Sequence, residues 1–99
     1  MITCKFTDDG FVVSGHSGYA EQGGDIICAA VSAMTMLVCN TITEQLNLKA
    51  VVETDEKTTK VSLKLKETAD NSYVKAIISG FRSELTALMQ EYPKNINVL

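Results

Sequence analysis

Apolar and polar positions alternate at the start of the chain: Ile2, Cys4 and Phe6 against Thr3, Lys5 and Thr7. A period of two predicts a half-buried strand. Asp8-Asp9-Gly10 follows and reads as a hairpin turn, after which Phe11-Val12-Val13 begins a second strand running to about His16. The stretch from Ser17 to Gly24 holds three glycines in eight residues and predicts a loop. Asp25 then precedes a helical run from Ile26 to about Asn47, where its carboxylate suits the N-cap. The first turns of that helix are apolar nearly all round and need cover on more than one side. Lys49–Asp55 and Lys60–Lys66 read as two further strands joined by a turn. In the latter, Val61, Leu63 and Leu65 face one way and Lys60, Ser62, Lys64 and Lys66 the other. Asp70-Asn71-Ser72 can cap a second helix running to about Tyr92, with Tyr73, Ile77, Phe81, Leu85 and Leu88 as its apolar stripe and Pro93 as its stop. Asn95–Leu99 has room for a short edge strand.

The order is β-β-α-β-β-α. Hairpins separated by helices predict an α+β domain: a four-stranded, mostly antiparallel sheet with two helices packed on one face. The 99 residues suffice for one domain with one core, 1–99. A hydrophobic share of 45% argues against disorder.

Charge and composition narrow the function. A net charge of −3 argues against a nucleic-acid binder, which needs a basic excess to meet phosphates. The lysine stripe at 60, 64 and 66 reads as a solvated strand face pairing with acids such as Glu53 across the hairpin. MITCKF does not read as a signal peptide. The apolar-rich stretch Ile26–Val38 is too short for a membrane span. A cytoplasmic location without membrane contact is the expectation by elimination. Three cysteines and one histidine, with no CxxC, supply neither a disulfide framework nor a zinc site, so no metal or cofactor is expected.

The chemistry concentrates at Cys28 and His16. Cys28 falls at the third helical position after Asp25, where helix-start N–H groups and the positive end of the dipole favour a negative sulfur. His16, the only histidine, lies at a strand end. Chain reversal through Gly18, Gly23 and Gly24 can bring the imidazole to the thiol, giving a nucleophile and its base. Set against this, a cysteine in an alanine-rich helix is commonly a small buried hydrophobe, and a glycine loop before a helix can bind phosphate. The stretch is not GxxxxGK[ST], however, and Asp25 would repel an anion. Cys39, eleven residues on, lies about 16 Å away along a continuous helix and cannot share a bond or a metal with Cys28. It reads as core filler, as does Cys4.

The segments Gly15-His16-Ser17-Gly18-Tyr19-Ala20 and Gly24-Asp25-Ile26-Ile27-Cys28-Ala29-Ala30-Val31-Ser32 closely resemble the signature of the ribosomal-processing cysteine protease family. The signature covers about a fifth of the chain, and the element order and length also match. The resemblance implies a homodimeric protease that removes a short N-terminal extension from a large-subunit ribosomal protein, cutting after a hydrophobic and aromatic run. It puts the catalytic cysteine on Cys28, the catalytic histidine on His16, and the family's recurring acid and serine on Asp25 and Ser32. Asp25 can orient His16 or only cap the helix. Ser32, one turn beyond Cys28, can bond near the thiol or back to its own helix. The Gly18–Gly24 loop can act as a lid with Tyr19 touching substrate, or as a plain connection. Two other readings stand beside the protease: a non-catalytic dimeric ribosome-assembly factor binding a peptide in the same groove, and another thiol enzyme such as a small acyl transferase.

Overall fold

The fold is given by a computed structural model describing residues 1–16, 18 and 25–99. The expectations for Tyr19, Gly23, Gly24 and a lid over this segment lie outside the described residues.

The first hairpin forms as the alternation predicts. Strands β1 (Ile2–Thr7) and β2 (Gly10–Ser14) pair antiparallel, with Cys4 opposite Val13 and Phe6 opposite Phe11. The role expected for Gly10 changes. Asp8 and Asp9 make the turn, and Gly10 already stands in β2 opposite Thr7. A Cβ at Gly10 would overlap the Leu63 carbonyl, so glycine is required for close strand approach rather than for turn shape.

The lysine-bearing hairpin joins this pair directly. Strands β3 (Ala50–Asp55) and β4 (Lys60–Leu65) pair antiparallel, and β4 lies against β2 with Phe11 opposite Leu63 and Ser14 opposite Lys60. Glu53 stands opposite Ser62, not opposite a lysine; Lys60 faces Asp55 and Lys64 faces Val51. Lys64 instead approaches Asp9 at 3.9 Å, an exposed ion pair worth little.

The sheet has five strands rather than four. Strand β5 (Ile96–Val98) pairs parallel to β1, with Ile2 opposite Ile96, giving the order β3-β4-β2-β1-β5. The class stays α+β, and the single parallel pair makes the sheet mixed. Buried Ile2, Cys4, Phe11, Val13, Leu63 and Ile96 form its covered face. Lys5, Lys60 and Lys64 lie exposed on the other.

Both helices pack on the covered face. Helix α1 (Ile26–Asn40) buries Ile27, Val31, Thr35, Val38 and Cys39. It does not run on as α-helix to Asn47: Thr41–Gln45 widens into a π turn, and Asn47 at φ 53° ends the run. Thr35, Thr41 and Thr43 each donate a hydroxyl to the carbonyl four residues back, at 2.7, 2.6 and 3.0 Å. Such back-bonding bends helices and satisfies the buried Thr35 hydroxyl. The whole helical run, Ile26–Gln45, is therefore longer than the apolar stretch read from sequence. Its 20 residues have a mean hydropathy of 1.9, long and apolar enough by length and composition to cross a membrane. Here one side of it packs into the domain core.

Helix α2 (Ser72–Glu91) starts where Asn71 accepts the N–H groups of Tyr73 and Val74 at 2.9 and 3.2 Å. Its buried stripe is Val74, Phe81 and Leu85; Tyr73, expected in that stripe, is 68% exposed. Phe81 meets Phe11 edge-on at 5.1 Å between ring centres, which docks α2 on the first hairpin.

Candidate active site

The strand and helix ends that sequence reading singled out converge on one cleft of about 730 Å³. Its wall contains His16, Gly18, Asp25, Cys28 and Ser32 together. Gly15 sets the approach of His16. It has φ +95°, and a Cβ there would collide with the Met1 carbonyl. Only glycine holds this left-handed geometry without strain. The chain thus leaves β2 after Ser14 and delivers His16, exposed, to the cleft.

Cys28 sits in the first turn of α1, half-buried, with its residue lining the same cleft. The other two cysteines are unlike it. Cys4 and Cys39 are 0% and 1% exposed. Burial pushes each of their thiols up to about 11. They are core filler, as expected. Among the described residues, no group of three His, Cys, Asp or Glu side chains converges to hold a metal.

Asp25 caps the helix. Its Oδ1 accepts the N–H of Ile27 at 3.1 Å and of Cys28 at 3.0 Å. The cap expected from the sequence forms, and it takes the helix-start amides beside the sulfur. Ser32 is exposed on the cleft wall one turn beyond Cys28. Among the described residues its hydroxyl makes no bond back to its own helix, unlike the three threonines further on.

One wall of the cleft escaped sequence reasoning. Thr54, Asp55, Glu56, Thr59 and Lys60, from the β3–β4 hairpin, face the site across from α1. The opposition of Ser14 and Lys60 brings that hairpin there, a long-range register with no local signal. The floor is apolar, with Ile2, Val13, Val31 and Val61. An open cleft with such a floor, a thiol and an imidazole suits an extended peptide and acyl chemistry at its carbonyl.

Comparison with known proteins bears on the fold and the family. No curated protein sequence matches the chain. Among solved structures, the essential ribosomal processing protease Prp from S. aureus, crystallised with a covalently linked product peptide, superposes with a TM-score of 0.88 at 23% identity, over 99% of this chain and 97% of that one. SMU.848 from Streptococcus mutans superposes with a TM-score of 0.86 at 24% identity, over 99% and 91%. These likenesses establish the fold. The family model of the cysteine protease Prp matches residues 1–97. The chain belongs to the cysteine protease Prp family.

Proposed function

We propose that this protein is a cysteine endopeptidase in which Cys28 is the nucleophile and His16 the general base, and that it removes the N-terminal extension of a large-subunit ribosomal protein. One observation carries the reading: the only histidine and the only cysteine outside the core line the same cleft, in a chain of a cysteine protease family.

The reaction follows from the two groups. His16 takes the thiol proton, and the Cys28 sulfur attacks the scissile carbonyl carbon. The imidazolium returns its proton to the leaving amine, and the acyl group stays on sulfur as a thioester. His16 then takes a proton from water, whose oxygen attacks the thioester and releases the acid. Ser32 acts beside them by hydrogen-bonding near the thiol or His16, a role supported by its position in the lining of the same cleft. The apolar floor accepts the hydrophobic and aromatic run before the cut.

The ribosomal target and the homodimer rest on the family resemblance. The similar S. aureus protein, a ribosomal processing protease crystallised with a covalently linked product peptide, supports the target. Support for the dimer comes from α1, which carries exposed Ile26 and Leu37 outside the cleft lining and has no charged residue. On this reading the protein works in the cytoplasm, where its substrate is made. The test is incubation with synthetic N-terminal peptides of the host's large-subunit ribosomal proteins and mass analysis of the products. One cut, after an aromatic run in one peptide, is expected. No cleavage of any would refute the assignment.

A further inference from the structure

One residue accepts from three successive backbone amides in the first turn of α1. Asp25 Oδ1 accepts from Ile27 and Cys28 at 3.1 and 3.0 Å, and the Asp25 carbonyl accepts from Ala29 at 3.2 Å. Attack by sulfur forms the Sγ–C bond and moves the carbonyl π pair onto oxygen, while the thiol proton passes to His16. The new oxyanion needs donors within about 2.7–3.1 Å. Among the described residues, the amide of Cys28 is a donor held close to the sulfur by covalent geometry, two bonds from the Cβ that carries it. One N–H cannot serve a carboxylate and an oxyanion at full strength, and two negative oxygens on one donor repel. The arrangement seen here therefore stabilises the helix and leaves the transition state without these donors.

We infer that Asp25 is a displaceable plug: its carboxylate leaves the Ile27 and Cys28 amides as the tetrahedral intermediate forms, and the oxyanion takes its place. The inference rests on the protease reading above and deepens it. Two features permit the exchange. The Ala29-to-Asp25 bond uses only backbone, so the helix keeps its first internal hydrogen bond when the side chain turns. Asp25 is half-buried and lines the cleft rather than the core. The magnitudes favour it as well. Loss of an N-cap weakens a helix on the order of fivefold. An oxyanion donor is worth about 10²–10³ in rate.

The test compares two modified forms of the whole protein. A carbon-13-labelled peptide aldehyde gives a hemithioacetal with an oxygen at the oxyanion position; methyl iodide gives an alkylated sulfur with none. In a crystal structure of the aldehyde adduct, the adduct oxygen is expected about 3 Å from the Cys28 nitrogen, with the Asp25 carboxylate turned away. In the alkylated protein Asp25 should still cap. Amide exchange at Cys28 should then respond differently to the two modifications. An adduct that leaves Asp25 bonded to Cys28 overturns the plug alone. Displacement in both forms also overturns it, because crowding and not charge would then be the cause. Absence of any hemithioacetal signal overturns the protease reading and the plug with it.

Discussion

Gly15 donates its backbone N–H to the Thr59 carbonyl at 3.1 Å, one step beyond the point where Ser14 faces Lys60. This bond ties the end of β2 to the turn of the β3–β4 hairpin, and so fixes two walls of the cleft to each other. His16 follows at once. Positioning of the imidazole thus depends on a glycine held at φ +95° against the Met1 carbonyl.

Gly15→Ala should therefore damage both stability and activity. A non-glycine residue in the left-handed region costs about 1–3 kcal/mol, and the clash with Met1 adds to it. Urea unfolding should show a loss of at least about 1 kcal/mol, and the surviving folded fraction should cleave poorly. A variant as stable and as active as the parent would show that this backbone geometry does not position His16.

Thiol reactivity separates Cys28 from its two buried counterparts. Limited iodoacetamide at neutral pH, followed by peptide mapping, should label Cys28 first. Cys4 and Cys39 are shut in the core and raised to about 11, so they should react only after denaturation. Equal labelling of all three in the native protein would remove the basis for choosing Cys28.

The same two buried thiols predict a loss of stability in alkali. The ordinary value is 9.0, and burial raises both to about 11 in the folded chain. Below 9 both states hold these protons, and the contribution is fully present. Between about 9 and about 11 the unfolded chain sheds protons that the folded chain keeps, so stability falls as pH rises. The loss is on the order of 2 kcal/mol for each thiol. Urea unfolding across this range should show the decline, and Cys39→Ala should make it shallower. An identical slope in the variant would mean that Cys39 titrates normally when folded.

If α1 forms the contact between two copies, a charge on its outer side should separate them. Leu37 is 67% exposed, so Leu37→Glu removes little core packing. Sedimentation should show the parent as a dimer and the variant as a folded monomer. A monomeric parent, or a variant that stays dimeric, would contradict the proposed interface.

Features set by neighbours in sequence were the readable ones. Asp25 and Asn71 are N-caps because each carboxylate or amide reaches amides two and three residues on. The alternation in β1 and β4 reports their buried faces for the same local reason. Long-range geometry was not readable. Gly10 looked like a turn residue, but what demands it is the carbonyl of Leu63, brought there by strand pairing. The parallel pairing of β5 with β1 and the central place of β2 follow from chain crossings that no local pattern encodes. Tyr73 and Val74 are both apolar enough for the α2 stripe, and only docking against the sheet selects Val74. In the cleft lining, His16, Asp25 and Cys28 were legible as residue types at a strand end and a helix start, and Ser32 as a hydroxyl one turn beyond Cys28. The hairpin wall of Thr54, Asp55 and Glu56 was not, since it depends on the register of β4 against β2.

The central claim is that the Cys28 sulfur forms the bond to the substrate and His16 moves its proton. Rapid acid quenching of the protein with a cleaved ribosomal N-terminal peptide, followed by intact and peptide-level mass analysis, tests it most directly. The account predicts an acyl group on Cys28 in the parent, and no acylation or cleavage in Cys28→Ala or His16→Ala, with both variants folded. Peptide cleavage that persists in Cys28→Ala would contradict it.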